Sequence, residues 1–232
     1  MTTVALIGPD GAGKTTVARA LQEALPVPVR YLYMGVSAES SNLLLPTTRL
    51  ARWIKRALGA PPDTAGPPPP PLARPRSTPR GVGGRARSNV RAVLRLANRL
   101  AEEWYRQAVA SWWERRGYVV VFDRHFLVDY HAYDVTGGRH RSPTQRLHGL
   151  VLERLYPRPD LVVYLDAPSA VLWARKGEGS LEALERRRAE YRAIAPLVPR
   201  FVEVDASRPL AEVVSAVARQ IAETLHGPGG TR

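Results

Sequence analysis

Short apolar runs alternate with longer amphipathic stretches along this chain. The runs Thr3–Ile7, Val27–Tyr33, Tyr118–Phe122, Leu161–Leu165 and Phe201–Val204 are rich in β-branched, leucine or aromatic residues and predict five strands. Between them, apolar positions recur at helical spacing over Thr15–Leu25, Thr47–Leu58, Ser88–Arg116, Pro143–Leu155, Ser169–Arg175, Leu181–Ile194 and Pro209–Leu225. Strands that are continuously apolar and separated by helices must be covered on both faces. The pattern therefore predicts a parallel sheet inside a three-layer α/β sandwich.

The regular alternation predicts a single domain over 1–232, and no internal repeat is visible. One stretch interrupts it. Nine of the 21 prolines fall between Pro61 and Pro79, and Gly81-Val82-Gly83-Gly84 follows. Such a composition cannot bury a core, so 60–87 is expected to be a flexible insertion, partly polyproline II. A mobile flap or a partner-binding proline motif is the functional alternative. The helix after it carries Val90, Val93, Leu94, Ala97, Leu100, Trp104, Ala108 and Trp112 near a 3.6 period, which reads as a packing face.

The first strand runs straight into Gly8-Pro9-Asp10-Gly11-Ala12-Gly13-Lys14-Thr15-Thr16, which fits the phosphate-binding pattern G-x-x-x-x-G-K-[ST] in its required place between strand and helix. The glycines allow backbone N–H groups to turn inward around a β-phosphate, Lys14 reaches the β- and γ-phosphates, and the Thr15 hydroxyl can ligate Mg²⁺. The following helix points its positive dipole end at the same group. Only three lysines occur (Lys14, Lys55, Lys176) among 34 basic residues. A lysine at this position therefore suits a site that selects a compact ammonium rather than a planar guanidinium.

The formal net charge is +13. Nucleic acid is the first partner such a charge brings to mind, but no aromatic-basic platform or DNA-reading motif accompanies it. A cationic surface around a phosphate-rich site is the preferred reading. The absence of cysteine removes disulfides, thiolate metal sites and cysteine nucleophiles. With a strand expected from Thr3 and no uncharged apolar run of membrane-spanning length, a cytoplasmic location is expected and no membrane span.

A second acidic position completes the candidate chemistry. The run Tyr118–Phe122 ends in Asp123-Arg124-His125, at the carboxyl edge where ligands sit in open α/β sheets. The carboxylate can orient Mg²⁺ or an acceptor oxygen, and the guanidinium can clamp phosphate bidentately. Gly137-Gly138-Arg139-His140-Arg141 is a further glycine-basic loop, read either as a phosphate contact or as a solvated turn.

Taken together these segments resemble the thymidylate kinase family. The loop with its acidic Asp10, the Asp123-Arg124-His125 triplet, Ala132-Tyr133, Tyr164-Leu165-Asp166-Ala167-Pro168 followed by Arg175-Lys176, and Val204-Asp205-Ala206-Ser207 are each similar to its motifs. The resemblance implies the nucleoside monophosphate kinase fold with strand order 2-3-1-4-5, ATP and Mg²⁺ as cofactors, dTMP as acceptor, and a homodimer using the long helix as one possible face. By position it implies that Asp10 faces the acceptor, that Asp123 organises Mg²⁺ and acceptor, and that Arg124 spans donor and acceptor phosphates. Arg175 and Lys176 would form a cationic lid over about 175–190, with Arg186, Arg187 and Arg188 either behind them or on a solvated helix face. The chain departs from the family after the second strand, where Tyr33-Met34-Gly35-Val36-Ser37-Ala38 replaces an Arg-Glu-Pro-Gly-Gly segment. It departs again in the lid, where Gly177-Glu178-Gly179-Ser180-Leu181-Glu182 replaces an acidic signature, and at Asp134 in place of a glutamine. A same-fold kinase for another small acceptor (a sugar, lipid-linked or modified nucleoside) and a nucleotide-gated module that recruits a polyanion or protein are the alternatives.

Overall fold

In the computed structural model the described residues are 2–35, 41–57, 82–136, 141–177 and 179–226. Five parallel strands form one sheet in the order β2-β3-β1-β4-β5: β1 Thr2–Ile7, β2 Val29–Tyr33, β3 Val119–Asp123, β4 Leu161–Asp166 and β5 Phe201–Asp205. The expected fold and strand order are thus observed. The described helices are α1 Lys14–Ala24, α2 Pro46–Ala57, α3 Val82–Arg115, α4 Phe126–Tyr130, α5 Pro143–Arg154, α6 Ser169–Lys176, α7 Leu181–Arg192 and α8 Leu210–His226.

Successive side chains of a strand point to opposite faces, so each central strand feeds two cores. On one face Val4, Leu6, Val119, Val121, Leu161 and Val163 pack with Val17 and Leu21 of α1 and with Val213, Val217 and Ile221 of α8. On the other face Ala5, Ile7, Val120, Phe122, Val162 and Tyr164 pack with Ala110 of α3, Phe126 and Tyr130 of α4, Leu152 of α5 and Tyr191 of α7. Local chemistry fixes where the helices begin. Ser142 and Gln145 form a capping box around Pro143 at the head of α5, and Ser180 accepts the Ala183 N–H at the head of α7.

Three expectations are corrected. The strand expected from Val27 begins at Val29, because Pro28 has no N–H to donate and contributes only its carbonyl, to the Val119 N–H at 2.9 Å. The helix expected from Ser88 begins at Val82 and so takes the end of the expected flexible insertion. Gly83 and Gly84 disfavour helix by about 1 kcal/mol each, but extending an established helix is far easier than nucleating one. The rest of that insertion, 58–81, lies outside the described residues, as does 137–140 of the glycine-basic loop. Third, α4 and the π-helical turn His131–Val135 after it went unforeseen, since ten residues that are apolar on most sides carry no helical period.

Leu21 and Leu152 are both fully buried, on opposite faces of the sheet. Leu21→Ala and Leu152→Ala are each expected to cost ~2–5 kcal/mol. Their costs should add in the double variant, because the sites share no neighbours. Urea unfolding followed by circular dichroism measures both points; a loss confined to one variant would contradict the two-core description.

Candidate active site at the carboxyl edge of the sheet

Backbone sterics shape the loop after β1. Gly8 has φ +148°, and a Cβ there would stand 2.4 Å from the Leu165 carbonyl oxygen of β4. Gly11 has φ +90°, and its Cβ would stand 2.8 Å from the Leu172 carbonyl oxygen of α6. Neither position accepts a side chain without moving a neighbouring backbone. Gly13 takes the left-handed conformation immediately before α1, and Ala12 is buried beneath the turn. The chain thereby wraps a concave surface around the amino end of α1, whose first residue is Lys14. Thr15 and Thr16 are exposed on that first turn.

Lys14 is buried, and its ammonium donates to the Gly8 and Pro9 carbonyl oxygens at 2.9 and 2.8 Å. Burial drives its pKa down to about 8, with Arg124 adding repulsion and Asp10 and Asp123 opposing the fall. The Asp10 carboxylate lies 4.0 Å from the ammonium.

Strand register brings the second half of the site to the first. Asp123 pairs with Leu6 of β1 and with Tyr33 of β2, so the last residue of β3 stands beside the start of the loop. Its Oδ2 accepts the Thr15 hydroxyl at 2.5 Å and the Tyr31 hydroxyl at 3.0 Å. Its Oδ1 is buried and has no hydrogen-bond partner among the described residues. A buried carboxylate oxygen left without a donor, beside a threonine hydroxyl, is a donor set of the hard oxygen kind that Mg²⁺ takes. Thr15 and Asp123 therefore fit the ion.

Arg124 has φ +67°, the left-handed region that an arginine rarely adopts, and its N–H donates to the Leu6 carbonyl at 3.0 Å. That turn aims the side chain across the loop mouth, where Nη2 bonds Asp10. Burial opposes charge on Arg124, but Asp129 and Asp10 outweigh it and hold its pKa above the usual value. On Asp10 itself burial is likewise outweighed, by Arg124, Lys14 and Lys176, and its carboxyl stays below the usual range. His125 caps α4 by accepting the Leu127 N–H at 3.3 Å; burial lowers its pKa to about 4, which leaves it neutral near pH 7.

Sequence reading missed Asp129. This buried residue of α4 feels Arg124, Arg187 and Lys14, although burial still raises its pKa. The available signal was a lone acid inside the apolar run Phe126-Leu127-Val128-Asp129-Tyr130. Tyr31 was missed too, because it lay within a strand and read as core.

The lid residues divide. Arg175 donates to the Ala206 carbonyl at 2.9 Å and to the Gly11 carbonyl at 3.4 Å, tying the outer shoulder of the loop to the turn after β5. Lys176 is exposed and contributes charge at Asp10. Arg188 instead grips Asp166 at the end of β4, with Nε to Oδ1 at 2.8 Å and Nη2 to Oδ2 at 2.7 Å, and Arg192 joins it at 2.6 Å. Arg188 is thus an anchor for α7. Gly177 and Gly179, both at positive φ, connect α6 to α7.

Behind α4 sits a buried ionic cluster. His148 of α5 bonds Asp134 through Nδ1 at 2.6 Å and Glu103 of α3 through Nε2 at 3.1 Å, and all three are buried. Arg99 lies 3.5 Å from Asp134 and stacks over Tyr130 at 4.7 Å. Close packing supports the cluster: a Cβ on Gly149 would stand 2.2 Å from the Asp134 carbonyl oxygen.

No described helix is long and apolar enough to cross a membrane. Comparison with known families finds a match to the AAA domain over residues 2–123. The match covers 122 of 232 residues and runs from β1, through the phosphate loop, to Asp123.

The cluster at His148 yields a pH prediction. Burial disfavours the imidazolium, but the bonds from Asp134 and Glu103 outweigh burial and raise its pKa above 6.5. The folded state then binds the proton more tightly than the unfolded one. Its stabilisation is complete below pH 6.5 and is lost as pH rises through the folded value. Urea unfolding from pH 6 to pH 9 should show this decline in the native protein and a flatter profile in His148→Gln. Equal slopes would contradict a charged His148.

Proposed function

Because the chain belongs to the AAA domain family of P-loop NTPases, we propose that it uses a bound triphosphate, ATP with Mg²⁺, as phosphoryl donor to a small phosphate monoester, with dTMP the first acceptor to test. The observation that carries this reading is Arg124. Its left-handed backbone sends a guanidinium from the end of β3 to Asp10 at the mouth of the loop, beside buried Asp129. A guanidinium bridges two phosphates bidentately, but it cannot accept a proton from water. Immediately next to Asp123, then, stands a group suited to aligning two anionic substrates.

The residues divide the work as follows. Lys14, which bonds loop carbonyls, exchanges those partners for donor phosphate oxygens, and the inward N–H groups of the loop supplement it. Thr15 and Asp123 would hold Mg²⁺, which would supply neutralisation of charge on the phosphates. Arg124 positions the acceptor phosphate against the donor, and Asp10 holds the guanidinium in its bridging direction. Since phosphoryl transfer needs little covalent help, alignment and charge neutralisation supply most of the rate.

A second reading, a same-fold kinase for another small acceptor, draws support from the segment after β2. Arg106 of α3 is buried and bonds the Gly35 and Leu43 carbonyls at 3.0 and 3.2 Å, and a Cβ on Gly35 would meet Tyr33 and the stem of Arg124 at 2.5–2.6 Å. The wall beside Arg124 is therefore backbone pinned by an internal arginine.

Coupled ADP release with ATP, Mg²⁺ and dTMP, dUMP, CMP, GMP, AMP or no acceptor separates the readings. Rapid turnover with dTMP alone supports the first; a flat response with nucleotide binding intact supports the second. In either case Lys14→Ala should lower kcat by on the order of a hundredfold or more without changing the circular dichroism spectrum. Arg124→Lys should raise the acceptor KM and lower kcat, since a point charge cannot replace the fork. Native-like turnover in Lys14→Ala would refute the mechanism.

A further inference from the structure

α2 is amphipathic, yet its apolar stripe lies open. Leu50, Trp53 and Ile54 recur at i, i+3 and i+4 on one stripe, yet all three face solvent, Trp53 at 68% exposure. None of them joins either core. The amino-terminal half of α3 repeats the feature: Val90, Val93 and Leu94 are exposed, Leu94 at 63%. The two helices share a root, where Thr48 bonds Asn98 at 3.4 Å and the Leu45 N–H bonds Glu102 at 3.2 Å.

The charges of these segments are one-sided. Residues 46–57 contain Arg49, Arg52, Lys55 and Arg56, residues 82–98 contain Arg85, Arg87, Arg91 and Arg95, and neither segment contains an acidic residue. Eight of the chain's 34 basic residues thus accompany two exposed apolar stripes.

We propose that α2 and the amino-terminal half of α3 form a docking surface for an anionic lipid bilayer. A basic amphipathic helix with tryptophan and leucine on its apolar side lies in the interfacial plane, with its apolar stripe below the headgroups and its cations among the phosphates. At 12 residues α2 is about 18 Å long, far short of the ~30 Å hydrocarbon core, so it lies on the membrane and does not pass through it. Charge selects this occupant over a second copy of the chain, since two copies of segments with eight basic residues and no acidic one repel each other. The apolar stripes select it over nucleic acid, whose phosphates offer nothing to Leu50, Ile54 or Leu94. This surface stands independently of the phosphoryl acceptor.

Sedimentation of the full chain with vesicles of phosphatidylcholine alone, or of phosphatidylcholine mixed with phosphatidylglycerol, tests it. Binding is expected only with phosphatidylglycerol, weakening as salt is added, with a blue shift of tryptophan emission. The variant Leu50→Ser/Trp53→Ser/Ile54→Ser changes three exposed side chains, so it should melt like the native protein while partitioning ~tenfold or more weakly. Failure to bind phosphatidylglycerol vesicles at low salt would overturn the proposal. So would native-like partitioning of the triple variant, or binding to single-stranded RNA that exceeds vesicle binding and ignores the triple substitution. A dimer in the ultracentrifuge that the triple variant abolishes, without vesicle binding, would assign the face to a second copy instead.

Discussion

The backbone pairing of β1 with β3 sets everything at the active edge. Because Leu6 lies opposite Asp123, the loop leaving β1 and the carboxylate ending β3 meet where no single stretch of sequence could join them. The Thr15 hydroxyl then reaches Asp123 across the gap at 2.5 Å. A shift of one residue would turn Asp123 to the opposite face of the sheet and take its carboxylate away from Thr15 and Lys14. The burial of Val4, Leu6, Val119 and Val121 on one face, and of Ala5, Ile7, Val120 and Phe122 on the other, prevents that shift. Core packing and site geometry are in this sense one constraint.

Buried charge reinforces the same edge. Asp166 ends β4 as Asp123 ends β3, and it is claimed by Tyr164, Arg188 and Arg192. On the sheet face that α7 also covers, His148, Glu103 and Asp134 brace α4 and the π-turn from behind. Removing one partner of such a group leaves an uncompensated buried charge, which costs more than the complete set contributes. The elements flanking the site are therefore fixed in position by groups that touch no substrate. The glycines at 177 and 179 lie between α6 and the anchored α7.

Much of this was legible in the chain. Strand locations, helix order and the phosphate loop follow from period and glycine spacing, and Asp123 was found because a β-branched run ended on an acid. What stayed hidden depends on tertiary contact. Asp129 looks like any acid in an apolar run until α4 folds it toward Arg124. Arg188 read as a lid cation or part of a solvated helix face because its partner, Asp166, is 22 positions away in sequence and meets it only when α7 packs against β4. His148 carried no signal, since its two carboxylates come from α3 and from a π-turn that propensity does not specify. The exposed stripe of α2 reads from period alone as a core helix; only solvent exposure reverses that reading.

The central claim is that Thr15 and Asp123 together form the metal side of a site whose acceptor side is Arg124. A crystal structure with a non-hydrolysable ATP analogue and Mn²⁺, located by its anomalous signal, tests it most directly. The account predicts the ion bound by the Thr15 hydroxyl, with Asp123 a direct ligand or one water away, Lys14 moved from the Gly8 and Pro9 carbonyls onto phosphate, and the Arg124 guanidinium beside the γ-phosphate. An ion bound elsewhere, with Thr15 still donating to Asp123 and Arg124 turned away from the nucleotide, would contradict it.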